Sequence, residues 1–152
     1  MKHMHAHAVR RSAFRQQAGI MLLEALAAIL IFSVGILAVI GLQAASVKQA
    51  AAAEFRSIAA LQANDLVSRM WISDHTAATL QTVYGSSGSG AGYASWLAHV
   101  KASGLPGVSS VSPTVVFGDG VTAPANQVTI TVNWIAPGET TAHNYVVIAQ
   151  VK

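Results

Sequence analysis

The most constraining feature of this chain is the run "IMLLEALAAILIFSVGILAVIGL". It spans residues 20–42, 23 residues with one ionisable side chain, Glu24. In a helix rising about 1.5 Å per residue this run is about 34 Å long, enough to cross a hydrocarbon core of about 30 Å. A helix apolar on every side belongs in lipid or inside a large core. The run also exceeds the ~7–15 apolar residues of a cleaved secretory signal. Lys2, Arg10, Arg11 and Arg15 precede Gly19, and no acid does. The positive-inside rule then leaves the N-terminus in the cytoplasm and exports the C-terminus.

Composition supports that division. The chain is 53% hydrophobic and 10% charged, with a mean hydropathy of +0.47, well on the apolar side of a soluble domain. Its basicity belongs to the leader. From Ile20 onward the bases Lys48, Arg56, Arg69, Lys101 and Lys152 face six acids, Glu24, Glu54, Asp65, Asp74, Asp119 and Glu139. A near-neutral body argues against a nucleic-acid partner. Cysteine is absent, which excludes a disulfide framework, a thiolate metal site and a cysteine-linked lipid anchor.

Glu24 has two readings. As part of a plain membrane anchor it sits about 6 Å inside Ile20, close enough to the interface to be tolerated. Alternatively it has a partner, as an ionisable group in a membrane segment is expected to. A cut between Gly19 and Ile20 would create an ammonium suited to that role. Gly19-Ile20-Met21-Leu22-Leu23-Glu24, set between a basic leader and a long apolar helix, resembles the type IV prepilin signal. The stretch "LLEALAAILIFSVGILAVIGLQ" is similar to minor pilins of the PilV type. The resemblance covers about residues 9–43 and continues less strongly in "ASWLAHVKASGLPG" and the strand-rich C-terminus. Ile20 replaces the phenylalanine common in major pilins, and Gly41 stands roughly where many of them carry a helix-breaking proline.

The resemblance implies a pilin-like α+β fold, with a long N-terminal helix packed on a small antiparallel sheet. It implies cleavage after Gly19 by a prepilin peptidase, N-methylation of Ile20, and pairing of Glu24 with the Ile20 amine of a neighbouring subunit. The implied partners are other minor and major pilins, the inner-membrane pilus assembly machinery, and membrane lipid before assembly. The implied location is the inner membrane first, then the pilus filament or its tip. The lack of cysteine removes the C-terminal disulfide of many major pilins. The same N-terminal logic fits a minor pseudopilin of a type II secretion or DNA-uptake system. A bitopic membrane protein with a periplasmic binding domain, or a secreted module released near "LQAAS", are the other classes.

Four segments are expected: a leader at 1–19, a membrane or filament-core helix at 20–42, its amphipathic continuation at 43–72, and an exported α+β domain at 73–152. Neither Gly nor Pro occurs between Leu42 and Tyr84, and residues 44–63 are rich in alanine, the best helix former. Phe55, Ala59, Leu66 and Met70 recur at helical spacing, as do Ile58 and Leu61, predicting a face for core packing. Ser73 or Asp74 is a candidate cap for a short second helix. "GSSGSGAG", residues 85–92, reads as a flexible loop. "YASWLAHVKASG" reads as a helix with Trp96, Leu97 and Val100 inward and Gly104 as C-cap. Strands are expected within residues 108–117, where Pro113 suggests an edge or a bulge, in "QVTITVNW", whose alternation puts Val128, Ile130, Val132 and Trp134 on one face, and in "NYVVIAQV", whose continuous apolarity suggests a central or well-covered position. Three or four antiparallel strands packed on the amphipathic part of the long helix make a two-layer domain.

No other pattern carries chemistry. His3, His5 and His7 alternate in the leader and would be discarded with it. His75, His99 and His143 lack metal-ligand spacing. The glycine-rich loop has no following lysine, so it is a poor phosphate cradle. Ser/His/Asp and His-Glu-x-x-His arrangements are missing. The expected protein is not an enzyme and takes no cofactor.

Overall fold

The computed structural model describes residues 13–88 and 90–152, with side chains from Gly19 onward. The leader histidines and Lys2, Arg10 and Arg11 lie outside the described residues. The elements are α1 (Ala13–Trp71), α2 (Ala77–Tyr84), α3 (Ala91–Ala102), β1 (Thr114–Phe117), β2 (Gln127–Trp134) and β3 (His143–Gln150). The chain divides into two compact units, Met1–Val47 and Lys48–Lys152. The long apolar helix and small antiparallel sheet make this an α+β arrangement.

In the first unit the only described element is the leading part of α1. The helix is already formed at Ala13 and continues through Gly19 and Ile20. Residues 13–18 contain no breaker, and a single glycine at position 19 costs only about 1 kcal/mol relative to alanine. Gly35 and Gly41 likewise lie within continuous helix. Ser33 donates its hydroxyl to the Ile29 carbonyl at 2.7 Å, so this polar side chain is satisfied by its own helix.

In the second unit α1 becomes one-sided. Ala59, Ala63, Leu66 and Met70 are fully buried, and Phe55, Ile58 and Val67 pack beside them. Leu61 is not part of this face and is 66% exposed. Two residues of helix turn the chain by about 200°, which carries Leu61 to the side opposite Ala59. The alanines leave this part of α1 thin, and α3 approaches closely enough for the Trp96 Nε1–H to donate to the Gln62 carbonyl at 2.9 Å. A buried indole needs such a partner. The helix stops at Trp71, where Ser73 turns back to donate both its N–H and its hydroxyl to the Met70 carbonyl. The His75 ring donates to the Trp71 carbonyl at 2.6 Å.

The short helices differ in detail from their sequence pattern. Thr76, not Ser73 or Asp74, is the N-cap residue of α2. Asp74 instead accepts from the Thr76 N–H and hydroxyl in a turn just ahead of it. The glycine-rich segment is shorter than expected, because Ala91 and Gly92 already belong to α3. A Cβ on Gly92 would meet the Tyr84 ring at 2.5 Å, so glycine is what lets α3 lie against α2. Trp96 and Val100 are buried, whereas Leu97 is only half-buried. Ser103 is the C-cap, and Gly104 follows it at φ 87°, where a Cβ would be strained.

The sheet has the order β1-β2-β3, antiparallel throughout. β1 starts only after Pro113, since Gly107 at φ 71° and the turn that follows hold residues 106–110 out of the sheet. β2 is central, with Val128, Ile130, Val132 and Trp134 all buried. β3 is an edge strand, contrary to its continuously apolar sequence. Its Tyr145, Val147 and Ala149 pack on the core, while Val146 and Ile148 are 48% and 63% exposed.

The two edges are treated differently. The Gly118 N–H bonds to the Gln127 carbonyl, and the Val151 N–H to the Asn126 carbonyl. Alternation then turns the main-chain groups of Val115 away from β2, together with those of Asn144, Val146, Ile148 and Gln150. Ser86, in the α2–α3 connection, takes up the Val115 groups. Its N–H and hydroxyl donate to the Val115 carbonyl, and its oxygen accepts from the Val115 N–H, all at 3.0 Å. Ser86 thereby occupies the Val115 groups at the β1 edge, while no described strand pairs with the outer side of β3.

Leu66 and Leu61 give a matched test of the α1 face. Replacing Leu66 by alanine should cost about 2–5 kcal/mol, whereas Leu61→Ala should stay within about 0.5 kcal/mol. Urea unfolding followed by tryptophan fluorescence reads both.

Candidate functional site: the apolar part of α1

Ile20, Leu23, Ile31, Phe32, Leu37 and Leu42 are 68–72% exposed, and the apolar stretch of α1 is long enough to cross a membrane. This arrangement is compatible with a membrane anchor. Gly19, Ile20 and Glu24 all lie in the same continuous helix. Four residues of helix advance about 6 Å and rotate about 40° beyond a full turn, so Ile20 and Glu24 share a face. A Cβ at Gly19 would meet nothing within 4 Å. Among the described residues Glu24 has neither an ion-pair nor a hydrogen-bond partner, in contrast to Ser33. The Gly19–Ile20 peptide is part of α1, so any peptidase acting there must first open the helix locally.

A second cluster, which the sequence pattern gave no reason to connect, lies where the second unit begins. Lys48 Nζ is 2.8 Å from Glu139 Oε1, and the His143 Nε2–H donates to Glu139 Oε2 at 2.5 Å. The His143 ring in turn stacks on Trp134, centroids 5.8 Å apart. One carboxylate thus joins α1, the β2–β3 turn and the first residue of β3. The turn itself is set by Gly138 at φ 79°. The hydrogen bond from Lys48, then that from His143, pulls the Glu139 carboxyl down to about 2, and Glu139 raises the Lys48 ammonium in return.

Asp119 is the other group missed from sequence. Its Oδ1 accepts from the main-chain N–H groups of Val121, Thr122 and Ala123, and its Oδ2 from the Thr122 hydroxyl. The Ala123 N–H, followed by Thr122 and Val121, holds this carboxyl far below the usual range. Asp-Gly at 119–120 is the turn signal that could have found it. The role is structural, since these bonds occupy both carboxylate oxygens and organise the β1–β2 loop.

His75 precedes α2, His99 lies in α3 and His143 opens β3, and all three are exposed. Among the described residues no group of three or more His, Cys, Asp or Glu could hold a metal ion. The depression among Leu61, Gln62, Asp65, Arg69, His99 and Ser103 contains an Asp65–Arg69 pair at 2.9 Å, which already satisfies its own charges.

The Glu139 cluster has a definite pH signature. Its carboxyl is depressed in the fold, so the stabilisation is present above the ordinary value of 4.5 and is lost as pH falls toward about 2. The urea midpoint of the native chain should therefore drop more between those limits than that of Glu139→Gln. Salt should narrow the difference, because the Lys48 side chain is 74% exposed. Comparison of the chain with family models, with curated protein sequences and with solved structures found no match.

Proposed function

We propose that this chain is a minor pilin, a structural subunit of a type IV pilus or of the complex that primes its assembly. One observation carries the reading. The sole ionisable group in the apolar part of α1, Glu24, stands one helical turn beyond Ile20, behind a glycine and a basic leader, and has no partner of its own among the described residues. Cleavage after Gly19 supplies the missing cation at Ile20. In a packed apolar bundle an unpaired carboxylate is costly and a paired one fixes register, so the pair selects the axial offset between neighbouring helices. Before assembly the helix resides in the inner membrane with its N-terminus in the cytoplasm. Afterwards it forms part of the filament core, with other pilins as partners. The exported unit contributes no reaction; it presents a surface to its neighbours.

The mass of the mature polypeptide tests this directly. It should correspond to a chain starting at N-methylated Ile20, and N-terminal sequencing should read methyl-Ile, Met, Leu, Leu, Glu. A start elsewhere, or a retained leader, refutes the proposal. Glu24→Ala should leave membrane insertion intact while reducing recovery of the subunit in sheared filaments about tenfold or more, the loss expected for about 1.4 kcal/mol of pairing. Incorporation equal to the native level would remove the charge pair from the mechanism.

A further inference from the structure

The β2–β3 turn is fastened to the rest of the second unit at few points. No residue from Ala136 to Ala142 belongs to the core, and Pro137, Gly138, Thr140, Thr141 and Ala142 are exposed. Ile135 anchors one end, its N–H donating to the Pro106 carbonyl at 2.9 Å. His143 anchors the other, paired with Trp134 at the end of the β2–β3 ladder. Between these anchors the Glu139 N–H donates to the Ala136 carbonyl at 3.0 Å, and Gly138 at φ 79° sets the bend. That internal bond makes the turn a small body rather than a loose string. Among the described residues, the ion pairs and side-chain hydrogen bonds that tie residues 136–142 to other elements all run through the Glu139 carboxylate. One oxygen takes Lys48 of α1 and the other takes His143 of β3. Lys48 precedes Phe55, where α1 first packs on the core, so no core side chain of α1 backs up the ion pair at that level.

We infer that the β2–β3 turn is a flap latched by Glu139, closed over the His143–Trp134 stack while the carboxylate holds Lys48, and free to swing on Ile135 and His143 when that contact breaks. A segment with few buried apolar contacts opens independently of the domain that carries it. One side chain makes both outward bonds, so releasing it frees the turn from α1 and from the His143 ring together. The latch is light, because an exposed ion pair biases an equilibrium by about fivefold or less. The Lys48 side chain is 74% exposed, which leaves it open to salt and to competing anions. Opening takes from His143 its carboxylate partner and bares an indole face of Trp134, a residue only 4% exposed in the closed form. The inference rests on the second unit alone and holds whether or not the chain is a pilin.

Spin labels test it. The chain has no cysteine, so two introduced cysteines carry labels without competition. Thr140→Cys on the flap and Ala52→Cys on α1 are both at exposed positions. Pulsed electron paramagnetic resonance on the full chain in detergent micelles reads the distance between them. At low salt the latched chain should give one narrow distance. Glu139→Ala should raise the share of longer distances about threefold while the far-ultraviolet circular dichroism stays native. Salt at about 1 M should move the latched distribution toward that of the variant and leave the variant where it is. If Glu139→Ala fails to fold, Lys48→Met replaces it, with a shift in the same direction expected. Identical distributions with and without the latch, or a latched distribution indifferent to salt, overturn the inference.

Discussion

The constraint on which this molecule depends is that the apolar side chains of the first part of α1 stand exposed among the described residues. Fully covering one leucine-sized side chain is worth about 1.5–3 kcal/mol, and this segment presents many such side chains at once. Such a surface is compatible with a membrane anchor. Against that total, a charge at the centre of a membrane helix costs only about 2.5–3.5 kcal/mol on insertion scales, and less near the end. Glu24 therefore does not decide whether the helix enters an apolar medium. A carboxylate in such a medium must be neutralised by a proton or by a cation.

Beyond Val47 the same helix obeys a different rule. Small side chains at Ala59 and Ala63, followed by Leu66 and Met70, let α3 and the sheet close over one face, and the indole of Trp96 marks how near they come. Several polar contacts are local, a serine or histidine at a helix end and an aspartate in a loop. Asn126 reaches further. It accepts from the Val151 N–H and the Gln150 side chain and donates to the Val151 carbonyl, so it fixes the strand that follows it by 25 residues.

Much of this was legible in the sequence. The length and purity of residues 20–42, the alanine-rich continuation to Trp71 and the period-two alternation of Gln127–Trp134 are all local patterns with one dominant physical cause. What stayed hidden depends on partners remote in sequence. Continuous apolarity in β3 suggested a central strand, but Val146 and Ile148 face outward because no fourth strand or second layer among the described residues covers them. Leu61 fits a loose helical spacing and still falls on the wrong side. The Lys48–Glu139–His143 contact joins residues up to 95 positions apart, and no one-dimensional pattern encodes that. The passage of α1 through Gly19 reflects helix propensity overriding a single glycine. For the candidate site, spacing alone set Glu24 about 6 Å along the helix from Ile20, and that they share a face follows from the uninterrupted helix.

The seal at Ser86 has a consequence for the valence of the sheet. A particle with one open side can join a single strand and then stop, whereas a particle with two can link into a line that has no natural end. One serine in a connecting segment, bonded to a residue 29 positions away, takes up the main-chain groups of Val115 and so removes one joining point from the β1 side.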